Sequence, residues 1–352
     1  KLHDWAHLKQ MVLPKAQVAE DAALTMVRAQ LQLSEMAILD VDKLCKAALT
    51  QCVLAWWQLP EASPWSCAPA LHAFQRAVEL AESWRVAMEF TVQGGAGAQY
   101  QELKDVCDTW KLRTPNEWEP LRWWSDVLTW RNQVYNMTIR QFSALQAAAP
   151  TLHQMGYRDK AWSVNRLGHV ARLHGLPEAC VHAINTLYGF NAMEVQEAFV
   201  KVQEQAKAYM LRPAEHLHGL NLITSTNMDY FQPPHQAEMV SLKAQFLDLL
   251  GEHDAAHAAF SEALTLWSLS PDAWVAWGRF CDERYVATKQ PAFLEYAGAC
   301  FAQGIRLSGP EARALVPRLL HLLMLDPHGA EAIGVRTLAA QAADLPTWVW
   351  LP

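Results

Sequence analysis

Two histidines have a spacing that could hold a metal ion. His253 and His257 stand four residues apart, so on a helix both imidazoles lie on one face. A zinc-protease helix also needs a glutamate general base and a third ligand, and the sequence places neither. We therefore interpret the pair as a solvated helix face and predict no metal site. Replacing both histidines by alanine is expected to leave stability and partner binding unchanged.

Two other short patterns resemble known sites. Gly94-Gly95-Ala96-Gly97 could be imagined to cradle a phosphate, but a P-loop continues with Gly-Lys-Ser/Thr, and here Ala98-Gln99-Tyr100 follows. We interpret it as a loop between helices. Asn136-Met137-Thr138 satisfies the glycosylation sequon, yet it lies in a helical stretch and is not expected to be modified.

The residues that catalyse acyl transfer or acid–base chemistry are not arranged for it. The sequence has neither a Gly-x-Ser-x-Gly elbow nor a cysteine with a positioned histidine. Carboxylate pairs such as Glu102/Asp105 and Asp282/Glu283 are typical of an ordinary surface. We predict no catalytic residues and no cofactor. The cysteines are widely scattered without a C-x-x-C pair, which predicts reduced, mostly buried thiols in an intracellular protein: Cys45, Cys52, Cys67, Cys107, Cys180, Cys281 and Cys300.

The tryptophans are the remaining candidates for a binding surface. Sixteen are present, and several form pairs: Trp56-Trp57, Trp123-Trp124, Trp274/Trp277 and Trp348/Trp350. Adjacent tryptophans on a helix point about 100° apart, so one pair can pack into two helix–helix seams. We predict that most of them pack in the core. Any part left exposed would suit an amphipathic helix of a partner, although the sequence identifies no partner-binding residues.

Composition excludes two classes of partner. Hydrophobic residues make up 51% and charged residues 18%, the net charge is −7, and no Lys/Arg run follows the pattern of a phosphate-binding surface. We expect no direct nucleic-acid binding. The richest apolar run, Leu319 to Leu325, contains His321 and is too short for a membrane span.

The two ends of the sequence suggest a fragment. A start without methionine and an end in mid-pattern lead us to expect an excised fragment of a longer protein.

The elements that must position all of these residues are helices. Periodicity close to 3.6 residues dominates, strong helix formers abound, and no alternating strand is bounded by hairpin-turn residues. Glycine and proline mark the predicted breaks, among them Pro150 to Gly156, Gly175-Leu176-Pro177, Gly251 and Ser270-Pro271. The sequence predicts an all-α fold over 1–352, with a possible subdivision into N-terminal helical repeats, 1–150, and tetratricopeptide-like repeats, 151–352.

The repeat pattern is clearest from Ala237 to Trp267. One helix, a turn at Gly251 and a second helix with alanines at 255, 259 and 263 beside Phe260 are typical of a tetratricopeptide unit. Small side chains allow paired helices to approach closely, while the bulky one fills the gap between repeats. The next unit begins at Ala273 to Phe280, and a weaker unit spans Leu167 to Cys180. Such units stack, which predicts a tetratricopeptide/HEAT-like helical-hairpin solenoid.

Several aromatic stretches strengthen this interpretation and resemble a known family. They are EWEPLRWWSDVLTWRNQVY from Glu117, LITSTNMDYF from Leu222, DAWVAWG from Asp272 and TWVWLP from Thr347. In order and approximate spacing, from about Val27 to the last residue, the sequence resembles the FAT domain of the phosphatidylinositol 3-kinase-related kinase family. Within that family the resemblance is to pseudokinase members.

The resemblance implies a function that the residues alone do not. It implies a non-catalytic scaffold segment of a subunit shared by histone acetyltransferase complexes of the SAGA and NuA4 type, located in the nucleus. The implied partners are other subunits, transcriptional activators and a kinase-like domain of the same polypeptide. Two alternatives stay open: the FAT segment of an active kinase of the same family, and a free-standing tetratricopeptide adaptor.

Overall fold

The computed structural model of the protein describes residues 10, 22–59, 64–91, 96–143, 150–190, 193–308 and 313–325. Throughout these ranges the regular secondary structure is helical, which confirms the predicted all-α class. The α-helices are α1 (Ala22–Ser34), α2 (Val41–Trp57), α3 (Pro64–Thr91), α4 (Ala96–Leu112), α5 (Leu121–Ser143), α6 (Pro150–Leu173), α7 (Pro177–Asn185), α8 (Val195–Met210), α9 (His216–Ser225), α10 (Pro233–Leu249), α11 (His253–Leu266), α12 (Pro271–Thr288), α13 (Pro291–Ser308) and α14 (Val316–Leu325). Short 3₁₀ helices follow α7 and precede α9, at Thr186–Gly189 and Pro213–Glu215.

The chain divides into two compact units, Lys1–Glu197 and Ala198–Pro352. In each unit the helices pack mainly against their neighbours in sequence, such as α5 against α6 in the first unit and α10 against α11 in the second. This serial packing of helical hairpins is the arrangement that the repeat pattern predicts. The possible subdivision at residue 150 coincides with the first residue of α6, which lies inside the first unit.

Glycines end two helices in a defined geometry. Gly251 follows α10 with φ 87°, and Gly175 follows α6 with φ 71°, a region that favours glycine because it has no Cβ. After α10 the amide of Gly251 donates to the Asp248 carbonyl at 2.9 Å, and that of Glu252 donates to the Leu247 carbonyl at 2.9 Å. This pair of bonds is a Schellman motif, and the amides of Gly175 and Leu176 make the same pair after α6, donating to the carbonyls of Arg172 and Ala171. Both predicted turns therefore arise from local hydrogen bonding.

Other predicted boundaries differ from the structure or lie outside it. Pro150 to Gly156 is not a break: Pro150 begins α6, and a Cβ added at Gly156 would lie 2.7 Å from Ile139 Cγ1, so glycine there permits close packing of α5 and α6. Ala96 and Gly97 of the predicted loop belong to α4, so the loop ends earlier than predicted, whereas Gly94, Gly95 and the terminal aromatic stretch lie outside the described residues.

The second unit is held by small residues facing large ones. Ala256, Ala259 and Ala263 of α11 are buried with Phe260, whereas Ala255, also predicted to face the packing seam, is exposed. A Cβ added at Gly278 of α12 would lie 2.9 Å from the Phe301 ring of α13, so glycine allows these two helices to approach closely. Small residues therefore pack against large ones, as predicted, except that Ala256 rather than Ala255 is buried on α11.

No helix among the described residues combines the length and the hydropathy that a bilayer crossing requires.

Candidate protein-binding groove

The two histidines with metal-ligand spacing have protein partners. His253 Nδ1 lies 2.9 Å from Asp248 Oδ1. His257 Nδ1 accepts from the Trp277 indole N–H at 3.1 Å, and its ring also packs against Phe280 and Tyr296. The predicted solvated face is therefore wrong for His257, which is half-buried among aromatic rings. Burial lowers the pKa of His257, and the negative charge of Asp254 partly opposes this shift. Among the described residues, no cluster of three His, Cys, Asp or Glu side chains could hold a metal ion.

The cysteines are structural. All seven lie among the described residues, where no disulfide joins them, and all except Cys67 are buried. Burial raises the pKa of Cys45 to about 12, and burial followed by the charge of Asp159 raises the pKa of Cys107 well above its usual value. Because the thiolate is the nucleophile, these groups are unreactive near neutral pH.

The tryptophan pairs divide between core and surface. Trp124 is fully buried, while Trp123 stacks on His72 with ring centroids 5.0 Å apart. Trp274 and Trp277 stack on each other at 6.1 Å. Trp56 and Trp57, in contrast, are 41% and 79% exposed, so the prediction of core packing is wrong for that pair. The Trp348/Trp350 pair lies outside the described residues.

A groove of about 490 Å³ lies within the second unit, between α8, α10 and the start of α12. Its apolar lining includes Met210, Leu242 and Val275, and the connection between α11 and α12 adds Trp267 and Leu269. The last two side chains are 36% and 58% exposed. Ser270 fixes the start of α12, because its hydroxyl accepts from the Ala273 amide at 3.4 Å.

The charged groups of the groove are only partly paired. Lys207 Nζ lies 3.1 Å from Glu238 Oε1. Asp272 stands in the first turn of α12, where the helix dipole favours a negative charge. Arg279 is exposed, and its positive charge acts on the Glu283 carboxylate, one turn further along α12. An apolar floor beside an exposed guanidinium can bind a protein segment that carries an apolar side chain and a carboxylate.

Sequence reasoning did not identify this groove. Lys207 and Arg279 are 72 positions apart in the chain and come together only because α8, α10 and α12 line one surface. The tetratricopeptide pattern could have indicated the position of the groove, because the first helices of successive hairpins stack side by side. Ala273 and Ala276, on such a first helix, both line the groove.

Comparison with known proteins agrees with this architecture. The FAT domain family model matches residues 1–321. The chain is 30% identical over 336 residues to the "SAGA complex/NuA4 acetyltransferase complex subunit TRA1" of Saccharomyces cerevisiae, covering 89% of this chain and 9% of that protein. The Schizosaccharomyces pombe subunit Tra1 is 30% identical over 335 residues, with coverage of 90% and 9%. The human "Transformation/transcription domain-associated protein" is 24% identical over 306 residues, with coverage of 81% and 8%.

The chain therefore spans about a tenth of the length of these relatives. The family match covers the first unit of the fold and the second unit as far as residue 321. The helical hairpins, the aromatic stretches and the match together identify this chain as a member of the FAT domain family.

Proposed function

We propose that this chain is a non-catalytic scaffold segment of a subunit shared by SAGA- and NuA4-type histone acetyltransferase complexes in the nucleus. The observation that carries the proposal is the 30% identity to two fungal subunits over 89% and 90% of the chain. The buried cysteines and the protein-paired histidines support the non-catalytic role, because neither is arranged as a nucleophile or general base.

The scaffold acts through surfaces rather than through reaction chemistry. Stacked helical hairpins bury one face of each helix and leave the other for partners. In the second unit this role falls to the groove beside Arg279, which receives a carboxylate-bearing segment of another subunit or of a transcriptional activator. The kinase-like domain of the same polypeptide, a pseudokinase in this proposal, contacts other surfaces of the segment.

The first experiment tests membership of the complex. The full-length protein is tagged at its own locus, purified from nuclei and assayed for acetylation of nucleosomal histones. Co-purifying acetyltransferase activity is the expected result. Recovery of the protein without any acetyltransferase subunit contradicts the proposal. An active kinase of the same family, the alternative, is recognised by the catalytic-loop and metal-binding aspartates of the kinase-like domain and by phosphorylation activity in the same preparation.

The second experiment tests the groove. Arg279→Glu reverses the charge at this one position of the groove without changing a buried residue, so the full-length variant is expected to recover less of the groove's partner. Arg306→Glu is the matched control, because Arg306 is exposed in the last turn of α13 and does not line the groove. Equal recovery of every subunit with both variants would show that the groove has no role in assembly.

A further inference from the structure

The outward face of α2 changes from charged to apolar along its length. Near its start, Lys43 and Lys46 are exposed and donate to Asp40 and Asp42 at 3.1 Å and 2.6 Å. After Lys46 the sequence has no charged residue before Glu61. A helix that faces water carries polar and charged side chains on that face. The second half of α2 therefore lacks the side chains expected of a solvent-facing helix.

Large apolar side chains take the place of the missing charges. Val53, Leu54 and Trp57 are 41%, 56% and 79% exposed. Leu54 and Trp57 follow Lys43 and Lys46 by eleven residues, about three helical turns, so all four lie on the same face of the helix. Val53, Leu54 and Trp57 form one continuous group, the apolar stripe of α2. Single apolar residues on a surface need no explanation, whereas contiguous ones mark a contact surface.

The apolar stripe is separate from the face by which α2 joins the fold. That face consists of buried residues three or four positions apart: Val41, Cys45, Ala48 and Cys52. It packs in the core of the first unit against α1 and α3, whose contributions include Met26 and Ala77. Helix α2 thus has one apolar face that the fold covers and a second that the described residues leave exposed.

The spacing within the stripe indicates the shape of what covers it. Val53 and Trp57 lie four residues apart and Leu54 and Trp57 three apart, which are the side-chain ridges that pack into the grooves of another helix. In solenoid folds each helical hairpin buries its apolar face against a neighbouring hairpin in this way. The covering helix must itself be apolar, because a charged side chain buried against the stripe would find no counter-charge.

The source of that helix follows from chain length and charge. The chain spans about a tenth of the length of its fungal relatives, so a subunit of that size has most of its helices outside the matched segment. A segment of the same polypeptide is tethered and meets the stripe at a high effective concentration. Separately folded partners are steered and selected by charged groups around their contact surface, and the second half of α2 offers none.

From these observations we propose that another α-helix of the same polypeptide, outside these 352 residues, covers the apolar stripe of α2 in the full-length protein. That helix packs an apolar, uncharged face on Val53, Leu54 and Trp57 and excludes water from them. This inference rests on the proposed function for one premise, that the chain is a segment of a longer subunit.

Photocrosslinking in the full-length protein tests the inference. p-Benzoylphenylalanine replaces Leu54 in the tagged protein, the nuclear complex is purified and irradiated, and crosslinked peptides are identified by mass spectrometry. The expected result is a crosslink to one apolar helical segment of the same polypeptide, outside these 352 residues. The matched control places the probe at Lys43, which is 81% exposed on the charged half of the same face, and is expected to give no crosslink to that segment.

A charge within the stripe gives a second readout. With the probe kept at Leu54, Trp57→Glu buries a carboxylate beneath the covering helix, so the yield of the crosslink is expected to fall roughly tenfold or more. Lys43→Glu adds the same side chain outside the stripe and should leave the yield unchanged. Because Trp57 and Lys43 are both exposed on α2, neither substitution is expected to unfold the helix.

A crosslink to a different subunit, a crosslink only within these 352 residues, or no crosslink from Leu54 would overturn the inference. An unchanged yield with Trp57→Glu would do the same. The proposed function is judged separately, by the acetyltransferase activity of the preparation. A preparation without acetyltransferase subunits that still gives the expected crosslink contradicts the proposed function and supports this inference.

Discussion

Arg131 of α5 and Glu79 of α3 form a fully buried, bidentate ion pair in the first unit. Arg131 Nε lies 2.9 Å from Glu79 Oε2, and Arg131 Nη2 lies 2.6 Å from Oε1. Their side chains are 0% and 1% exposed. Arg131 also lies over the Trp110 ring, 5.5 Å from its centroid. The two residues are 52 positions apart in the sequence, and their ion pair joins two helices in a region where water is excluded.

Removing one partner of this pair is expected to destabilise the first unit strongly. Arg131→Met leaves the Glu79 carboxylate buried and unpaired, which should lower the free energy of unfolding by about 3–5 kcal/mol in urea titrations of the purified chain. Arg122→Met is the control on the same helix, because Arg122 is 80% exposed and its substitution should change stability by less than about 0.5 kcal/mol. Equal effects of the two substitutions would contradict a structural role for the buried pair.

The helix seam at Ala259 provides a second test. Ala259 is 5% exposed on α11, so Ala259→Asp places a carboxylate where two helices touch and should unfold the hairpin locally, with a loss of about 3 kcal/mol or more. Ala258→Asp changes the neighbouring, exposed residue and should be tolerated. Thermal unfolding followed by far-UV circular dichroism separates the variants. Normal stability of Ala259→Asp would show that the packing face is assigned incorrectly.

The environment of His257 changes the outcome expected for the histidine pair. His257→Ala removes the acceptor of the Trp277 indole N–H, so we expect a loss of about 1–2 kcal/mol in the free energy of unfolding. His253→Ala removes a contact at a side chain that is 36% exposed and should have a smaller effect. Calorimetry of both single variants measures the difference, and identical unfolding temperatures would restore the solvated-face interpretation. Metal analysis of the purified protein checks the prediction of no metal site.

Acid sensitivity is expected from His72. Burial, followed by the charge of Arg76, lowers the pKa of His72 to about 4, although Asp126 partly opposes the shift and Arg122 adds to it. The unfolded chain therefore binds a proton that the folded chain does not between about pH 6.5 and 4. The stability contributed by neutral His72 is complete above pH 6.5 and is lost as the pH falls through that window.

We expect this histidine to account for about 2 kcal/mol of the stability lost between pH 7 and pH 5. His72→Phe keeps a ring against Trp123 and removes the titration, so its free energy of unfolding should fall less over the same interval. Urea titrations at the two pH values measure the difference. The same pH dependence in wild type and variant would show that His72 is not held neutral in the folded state.

Local signals in the sequence were sufficient for the fold class and for several boundaries. The turn at Gly251 follows from the left-handed backbone that its Schellman motif requires, and the start of α12 follows from Ser270 acting as its N-cap. Both involve residues within five positions of one another. The family resemblance, which rests on aromatic stretches along the chain, is confirmed by the match over residues 1–321.

The candidate interaction surfaces could not be predicted in the same way. Trp57 and Trp124 belong to similar-looking tryptophan pairs, but one is 79% exposed and the other is fully buried. Nothing within a few residues of either distinguishes them, since burial depends on whether another helix packs over that turn. The groove beside Arg279 has the same origin in contacts between distant segments.

The sequence by itself determined that this chain forms helices, where many of them end and which family it belongs to, because propensity, turn geometry and repeat spacing act over short distances. Only the tertiary structure decided that His257 packs among aromatic rings, that Arg131 neutralises Glu79 in the core, and that Trp118 faces solvent. These outcomes depend on which helix surfaces meet, and the free energy of burial belongs to both surfaces together.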